Sequence, residues 1–99
     1  VHEGAVVGHL LATAVADEGE VLTIAVDRQH RRSGVARRLL SDVSSHWLIN
    51  GVKTAFLEVR EDNGPAIGLY TSGGWRTVGR RTGYYPDGTD ALLMSLEIR

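Results

Sequence analysis

Hydrophobic positions along the chain fall into short runs that alternate between two periods. From Ala5 to Val15 the residues are apolar with little polar interruption, which predicts a strand buried on both sides. Ala16 to Gly19 reads as a turn, and Glu20 to Val26 as the second strand of a hairpin, buried from Val21 to Val26. After Gly34 the spacing changes: Val35, Leu39, Leu40, Val43 and Trp47 form one helical stripe that faces a sheet. Asn50-Gly51 is the stop signal for that helix. Val52 to Val59 is the next strand, and the helix before it makes it a parallel neighbour of the preceding strand. Asp62-Asn63-Gly64-Pro65 starts a second helix, with Asn63 as cap and Pro65 in the first turn, and Gly73-Gly74 ends it after Ser72. Trp75 to Tyr85 reads as a strand, Pro86-Asp87-Gly88 as a turn, and Ala91 to Ile98 as the last strand. Leu92, Met94, Leu96 and Ile98 share one face of it. The order β-β-α-β-α-β-β predicts an α/β fold built on a mixed sheet.

Ninety-nine residues without linker, repeat or low-complexity segment make residues 1–99 a single domain. Eleven basic and twelve acidic residues leave a net charge of −1, which gives no general attraction to nucleic acid or to an anionic membrane. The basic residues are nonetheless clustered, at Arg28 to Arg38 and at Arg76 to Arg81. The first cluster reads as a local anion site; the second carries no assignment from the sequence. The absence of cysteine excludes disulfides, a thiolate nucleophile and cysteine-based metal sites. His2, His9, His30 and His46 are scattered and give no metal-ligand spacing. No apolar run approaches the ~20 residues of a membrane span and no signal peptide is evident, so a cytoplasmic protein is the expectation. The chain begins at Val1 rather than Met, with an apparent hairpin turning at Glu3-Gly4. A chain whose natural beginning has been lost is expected, and apolar surface left uncovered there would favour dimerisation.

Three places carry candidate chemistry. Arg31, Arg32, Ser33, Gly34, Val35 and Ala36 lie between a strand and a helix. A glycine turn there brings backbone N–H groups together where the helix begins, and such a start favours phosphate. Two arginines beside it suit a pyrophosphate. Neither the nucleoside-triphosphate loop nor the dinucleotide glycine pattern is present. Glu58 is a carboxylate within an apolar strand, on one face with Phe56 and Arg60 and opposite Ala55, Leu57 and Val59. It either pairs with Arg60 or an arginine of the late strand, or stands as a general base at the edge of a cleft. Tyr70, among Ala66, Ile67 and Leu69, is either a core aromatic or an acid placed near a leaving group.

The loop spacing (Arg or Gln, two residues, Gly, one residue, then Gly or Ala) resembles the acyl-CoA loop of the GNAT superfamily of N-acetyltransferases. The run from Leu57 to Trp75 resembles L-E-V-R-x-x-N-x-x-A-x-x-L-Y-x-x-x-G-F of its RimI-type members, which acetylate the N-terminal amine of a ribosomal protein; Trp75 stands where Phe is usual. Thr23 to Val26, Arg31 to Ala36, Arg81 to Tyr85 and Asp90 to Leu92 are also similar to that pattern, so the resemblance covers almost the whole chain. It implies the acyl-CoA N-acyltransferase fold, with acetyl-CoA as acyl donor, no metal, and a protein or peptide N-terminus as acceptor. It further implies that Ile24, Ala25 and Val26 present backbone groups to the pantetheine arm and that Arg31 to Ala36 hold the pyrophosphate. Asn63 would contact the cofactor, Glu58 would be the base, Tyr70 the acid, and Tyr84 and Tyr85 the walls of the acceptor channel. Members usually carry a further strand and two helices ahead of the segment that begins here. A small-amine or lysine acetyltransferase, or a non-catalytic acyl-CoA-binding module, remains open from the sequence.

Overall fold

The computed structural model describes residues 8–26 and 34–99. The elements are β1 (Gly8–Val15), β2 (Glu18–Val26), α1 (Val35–Ile49), β3 (Thr54–Arg60), α2 (Gly64–Ser72), β4 (Arg76–Arg81) and β5 (Ala91–Glu97), in the expected order. The five strands form one sheet ordered β1-β2-β3-β5-β4. The β2–β3 pair is parallel and the other three pairs are antiparallel. The opening hairpin proposed around Glu3-Gly4 lies outside the described residues.

Alternation in β3 sets the two faces. Ala55, Leu57 and Val59 are buried in one cluster with Leu40 and Trp47 of α1, Tyr70 of α2, Met94 of β5 and Trp75, so both helices cover that face. The stripe expected on α1 is the one observed, with Leu40 and Trp47 buried and Val35, Leu39 and Val43 half-buried. Asn50 caps its C-terminus, and Gly51 follows at φ 80°. Phe56, Glu58 and Arg60 occupy the opposite face and are only half-buried.

Three sequence expectations need correction. Among the described residues β1 is not buried on both sides: it is the edge strand of the sheet, its residues alternating between half-buried and exposed before the last ones are wholly exposed. Residues Val21 to Val26 are not a buried strand either, since Val21 is buried but Leu22 is 52% exposed. Position within the sheet, which hydrophobicity alone does not encode, decided both. The strand expected over Trp75 to Tyr85 stops at Arg81, and Gly83 turns the chain at φ 62° into a loop that carries Tyr84 and Tyr85.

The feature that creates a site is where β2 and β3 part. Glu18, Gly19 and Glu20 pair with Thr54, Ala55 and Phe56, and the ladder ends there. β2 then stays with β1 while β3 stays with β5 to Arg60. Immediately past the last shared pair, the β1–β2 register shifts so that Ala12 faces Val21 and Leu11 faces Thr23. Such a bulge bends and twists its strand, here away from β3. The closed end is fixed by the Asp17 carbonyl, which accepts hydrogen bonds from the Lys53 and Thr54 amides at 2.7 and 3.3 Å. Gly19 adds a close approach: a Cβ there would lie 2.6 Å from Cε2 of the buried Trp47 indole.

Candidate active site

Where the strands part, a cleft of about 220 Å³ opens between their edges. Val21 to Ile24 of β2 form one wall and Leu57 to Arg60 of β3 the other. Asn63, Ala66 and Tyr70 approach from the helical side, and Tyr85 completes the lining. From Val21 onward β2 has no ladder partner on its β3 side among the described residues, although it lies inside a sheet. Backbone N–H and C=O groups left in that position need another partner, and an extended polar ligand can supply it as a strand would. Ile24 lines the cleft, and Ala25 and Val26 continue the same unpaired edge.

Glu58 and Tyr70 reach this cleft from opposite faces of the sheet. The sequence left open whether Glu58 pairs with an arginine or faces a cleft, and both hold. Arg81 Nε lies 2.6 Å from Glu58 Oε2, with the carboxylate side chain 23% exposed. That contact is an ion pair by distance, but the N–H is not aimed at the oxygen. Oε2 is shielded from water and accepts no hydrogen bond among the described residues. Tyr70 is a core aromatic as well as a cleft residue. Its ring packs on Trp75 with centroids 6.2 Å apart, and burial pushes its phenol above the ordinary pKa. The hydroxyl therefore keeps its proton at neutral pH.

Asn63 caps α2 as expected, its Oδ1 accepting from the Ala66 amide at 3.2 Å, and it lines the cleft as well. Of the two tyrosines, Tyr85 lines the cleft, whereas Tyr84 does not and is 52% exposed. Their rings meet edge to face at 5.1 Å. The Arg60 guanidinium sits 4.7 Å from the Tyr85 ring centre, and partial burial, followed by the nearby Glu58 charge, raises the Tyr85 phenol pKa.

Sequence reasoning missed what holds this loop in place. Arg60 Nη2 donates to Asp87 at 2.6 Å and to Thr89 Oγ1 at 3.0 Å, while its Nε donates to Asp62 at 3.1 Å. Hydrogen bonds from Arg60 first, then from Thr89, lower the Asp87 pKa to about 2. Arg80 donates to Asp90 at 2.9 Å and also bonds Glu61. The Gly83 amide, ahead of Arg80, lowers the Asp90 pKa by donating to it at 2.8 Å. The available signal was the alternation of arginines at 60, 80 and 81 with acids at 61, 62, 87 and 90, which needs the fold to become pairs.

Of the expected phosphate loop, Arg31, Arg32 and Ser33 lie outside the described residues. Gly34 adopts φ 86°, a left-handed conformation that favours glycine, immediately before α1. Val35 and Ala36 form the first turn of this 15-residue helix, which among the described residues has no side-chain cap and no acidic residue there. A start of that kind leaves N–H donors and the positive end of the dipole unneutralised. Arg37 Nη1 donates to Ser72 Oγ at 3.1 Å, joining α1 to the end of α2. A larger groove of about 400 Å³ runs between α1, α2 and the end of β5, but none of the candidate residues lines it. Among the described residues no group of histidine and acidic side chains is arranged to hold a metal, and no helix is long and apolar enough to cross a membrane.

A model of the acetyltransferase (GNAT) family matches residues 1–75. The [ribosomal protein bS18]-alanine N-acetyltransferase of Escherichia coli K12 is 39% identical over 98 residues, covering 96% of this chain and 66% of that protein. An N-alpha-acetyltransferase of Saccharolobus solfataricus is 41% identical over 80 residues, covering 79% of this chain and 47% of the relative. The crystal structure of the ribosomal-protein-S18-alanine N-acetyltransferase from Escherichia coli superposes with a TM-score of 0.93 at 38% identity, covering 99% of this chain and 65% of that one. The chain thus spans less than two thirds of the length of each of these relatives.

Proposed function

We propose, from the premise that this chain belongs to the acetyltransferase (GNAT) family, that it transfers an acetyl group from acetyl-CoA to the α-amine of a protein N-terminus. The observation that carries this reading is the parting of β2 and β3, which puts Glu58 and Tyr70 on the walls of one cleft. The relatives with N-terminal acceptors in their names support the acceptor class, with a ribosomal protein as the first candidate.

The residues present fit acetyl-CoA. The unpaired β2 edge from Ile24 to Val26 offers backbone donors and acceptors to an amide-bearing arm, and the uncapped start of α1 at Gly34 to Ala36 offers donors to a pyrophosphate. Arg31, Arg32 and Ser33 extend that anion site in the sequence. Asn63, at the start of α2, faces the same cleft. When bound, acetyl-CoA supplies the thioester carbon that the acceptor nitrogen attacks directly.

The chain's own residues manage the protons. The Glu58 carboxylate takes the proton that the amine loses as its nitrogen forms the amide bond. The Tyr70 hydroxyl, a phenol protonated at neutral pH, gives its proton to the departing sulfur. The demand on Glu58 is modest for this acceptor. An α-amine with pKa near 7.7–8.0 is about one-tenth neutral at pH 7, whereas a lysine side chain near 10.4 is neutral at only about one part in 2,500. Tyr85, held by the Arg60–Asp87 anchor, forms the acceptor side of the cleft.

The test is CoA release from acetyl-CoA with a short peptide bearing a free N-terminal alanine. Release that depends on the peptide and disappears when its amine is acetylated supports the reading. Release only with lysine side chains or small amines would replace the acceptor, and bound acetyl-CoA without turnover would leave a binding module.

A further inference from the structure

Three arginines stand at the ends of β3 and β4, one of them, Arg60, lining the cleft, and they are not equivalent. Arg60 is engaged by Asp62, Asp87 and Thr89, and Arg80 by Glu61 and Asp90, each through hydrogen bonds. Arg81 has one carboxylate contact among the described residues, with Glu58, and it is poorly directed: 2.6 Å in distance but without an N–H aimed at the oxygen. Oε2 is thereby covered from water yet left without a hydrogen bond. A carboxylate oxygen in that condition gains by exchanging its partner for a cation that can aim a donor at it.

We infer that Arg81 occupies the seat of the acceptor's α-ammonium, so that it screens Glu58 in the free protein and yields the carboxylate to an incoming N-terminus. The inference rests on the acetyltransferase reading and names a specificity-determining residue for it. Both occupants bring a positive charge to Glu58, but a terminal ammonium is compact and rotates its three hydrogens freely, whereas the guanidinium is planar and fixed by its stem. Arg81 has somewhere to go. Its side chain is 58% exposed, and its guanidinium already lies 5.9 Å from the centre of the exposed Tyr84 ring. Displacement therefore gives up one partly screened contact and keeps the one with Tyr84, at little cost. The arrangement also explains why Tyr84, outside the cleft lining, belongs to the site: it receives the side chain that the acceptor displaces. An acceptor without a positive amine, such as an N-acetylated peptide, cannot make the exchange and gains nothing from it.

The experiment is equilibrium binding of a short alanine-initiated peptide, and of its N-acetylated counterpart, to wild type, Arg81→Met and Arg81→Lys in the presence of CoA. Arg81→Met removes the competing cation and keeps much of the apolar stem. Its affinity for the free peptide should rise about two- to fivefold, the range of a partly exposed ion pair. Its affinity for the blocked peptide should stay within error, and Arg81→Lys should return the free peptide towards wild type. A weaker free peptide with Arg81→Met would make Arg81 a peptide-binding residue, and unchanged affinity would make it a bystander; either overturns the inference. Thermal unfolding of each variant separates loss of fold from loss of contact. Because binding is read without turnover, a wild type that binds the peptide but does not acetylate it would count against the proposed activity alone.

Discussion

Replacing Gly19 with Ala adds one methyl group, and two opposing effects decide its sign. Within a strand the exchange should help, since it removes backbone freedom from the unfolded chain, worth about 0.5–1 kcal/mol. Against it stands the Trp47 indole, with Cε2, Cζ2 and Nε1 at 2.6, 2.8 and 3.0 Å from where the new Cβ would sit. Those atoms belong to a rigid ring that is 3% exposed and packed in the core, so the ring cannot turn aside without shifting α1. Overpacking of this kind costs about 1–3 kcal/mol. The net expectation is a loss of roughly 1–2 kcal/mol, which for a domain of this size lowers the melting temperature by roughly 4–16 °C. Gly19 pairs with Ala55 at the closed end of the parting strands, so the displacement falls at the hinge of the cleft. Thermal unfolding followed by circular dichroism measures the loss. A second measurement isolates its cause: in a Trp47→Leu background, which removes the opposing ring atoms, Gly19→Ala should cost nothing further. A Gly19→Ala protein as stable as wild type, or an equal cost in both backgrounds, would refute the packing argument.

Glu58→Gln should lower kcat by about 10²-fold, the lower end of what a positioned base contributes, while acetyl-CoA affinity changes less than twofold. Steady-state kinetics with calorimetric binding checks both, and a comparable loss of affinity would make Glu58 structural. Gly34→Val should weaken CoA binding and destabilise the start of α1. Space is not the reason, since a Cβ there meets nothing within 4 Å among the described residues; the cause is φ 86°, which a β-branched residue resists. Equal CoA affinity by calorimetry would remove this turn from the anion site. Because hydrogen bonding to Arg60 and Thr89 holds the Asp87 pKa at about 2, below its ordinary 3.8, the Asp87 anchor favours the folded loop fully above about pH 4. It is lost as pH falls towards 2. NMR titration of the Asp87 carboxyl should follow that course, with the Tyr85 ring resonances moving in step, and a midpoint near 3.8 would show the anchor to be absent in solution.

Much of the architecture was legible because it is written locally. The helical stripe from Val35 to Trp47, the Asn63 cap and the alternation from Ala55 to Arg60 each follow from the spacing of side chains along one element, and each appears where expected. Candidate chemistry was legible for a different reason. Glu58 is polar at a strand position whose neighbours are apolar, and such a residue needs either a partner or a task. What the sequence could not rank was partner against task, because Arg60 and Arg81 are both at hand in the chain. Only the sheet order, with β5 between β3 and β4, placed Arg81 over Glu58 and turned Arg60 to Asp62 and Asp87.

By itself, then, the chain determined its elements, the inward stripe of each, and the residue types suited to proton transfer and anion binding. Tertiary structure decided the rest. Among the described residues, the edge position of β1 left exposed an apolar run that reads as buried, and the turn at Gly83 ended a strand that its residues would have continued. Above all, a bulge beyond Glu20 separated two strands that sequence order makes neighbours. Period and composition report which way a side chain faces, but a cleft depends on how far two backbones keep company, and that is settled by twist, register and competing partners across the whole sheet.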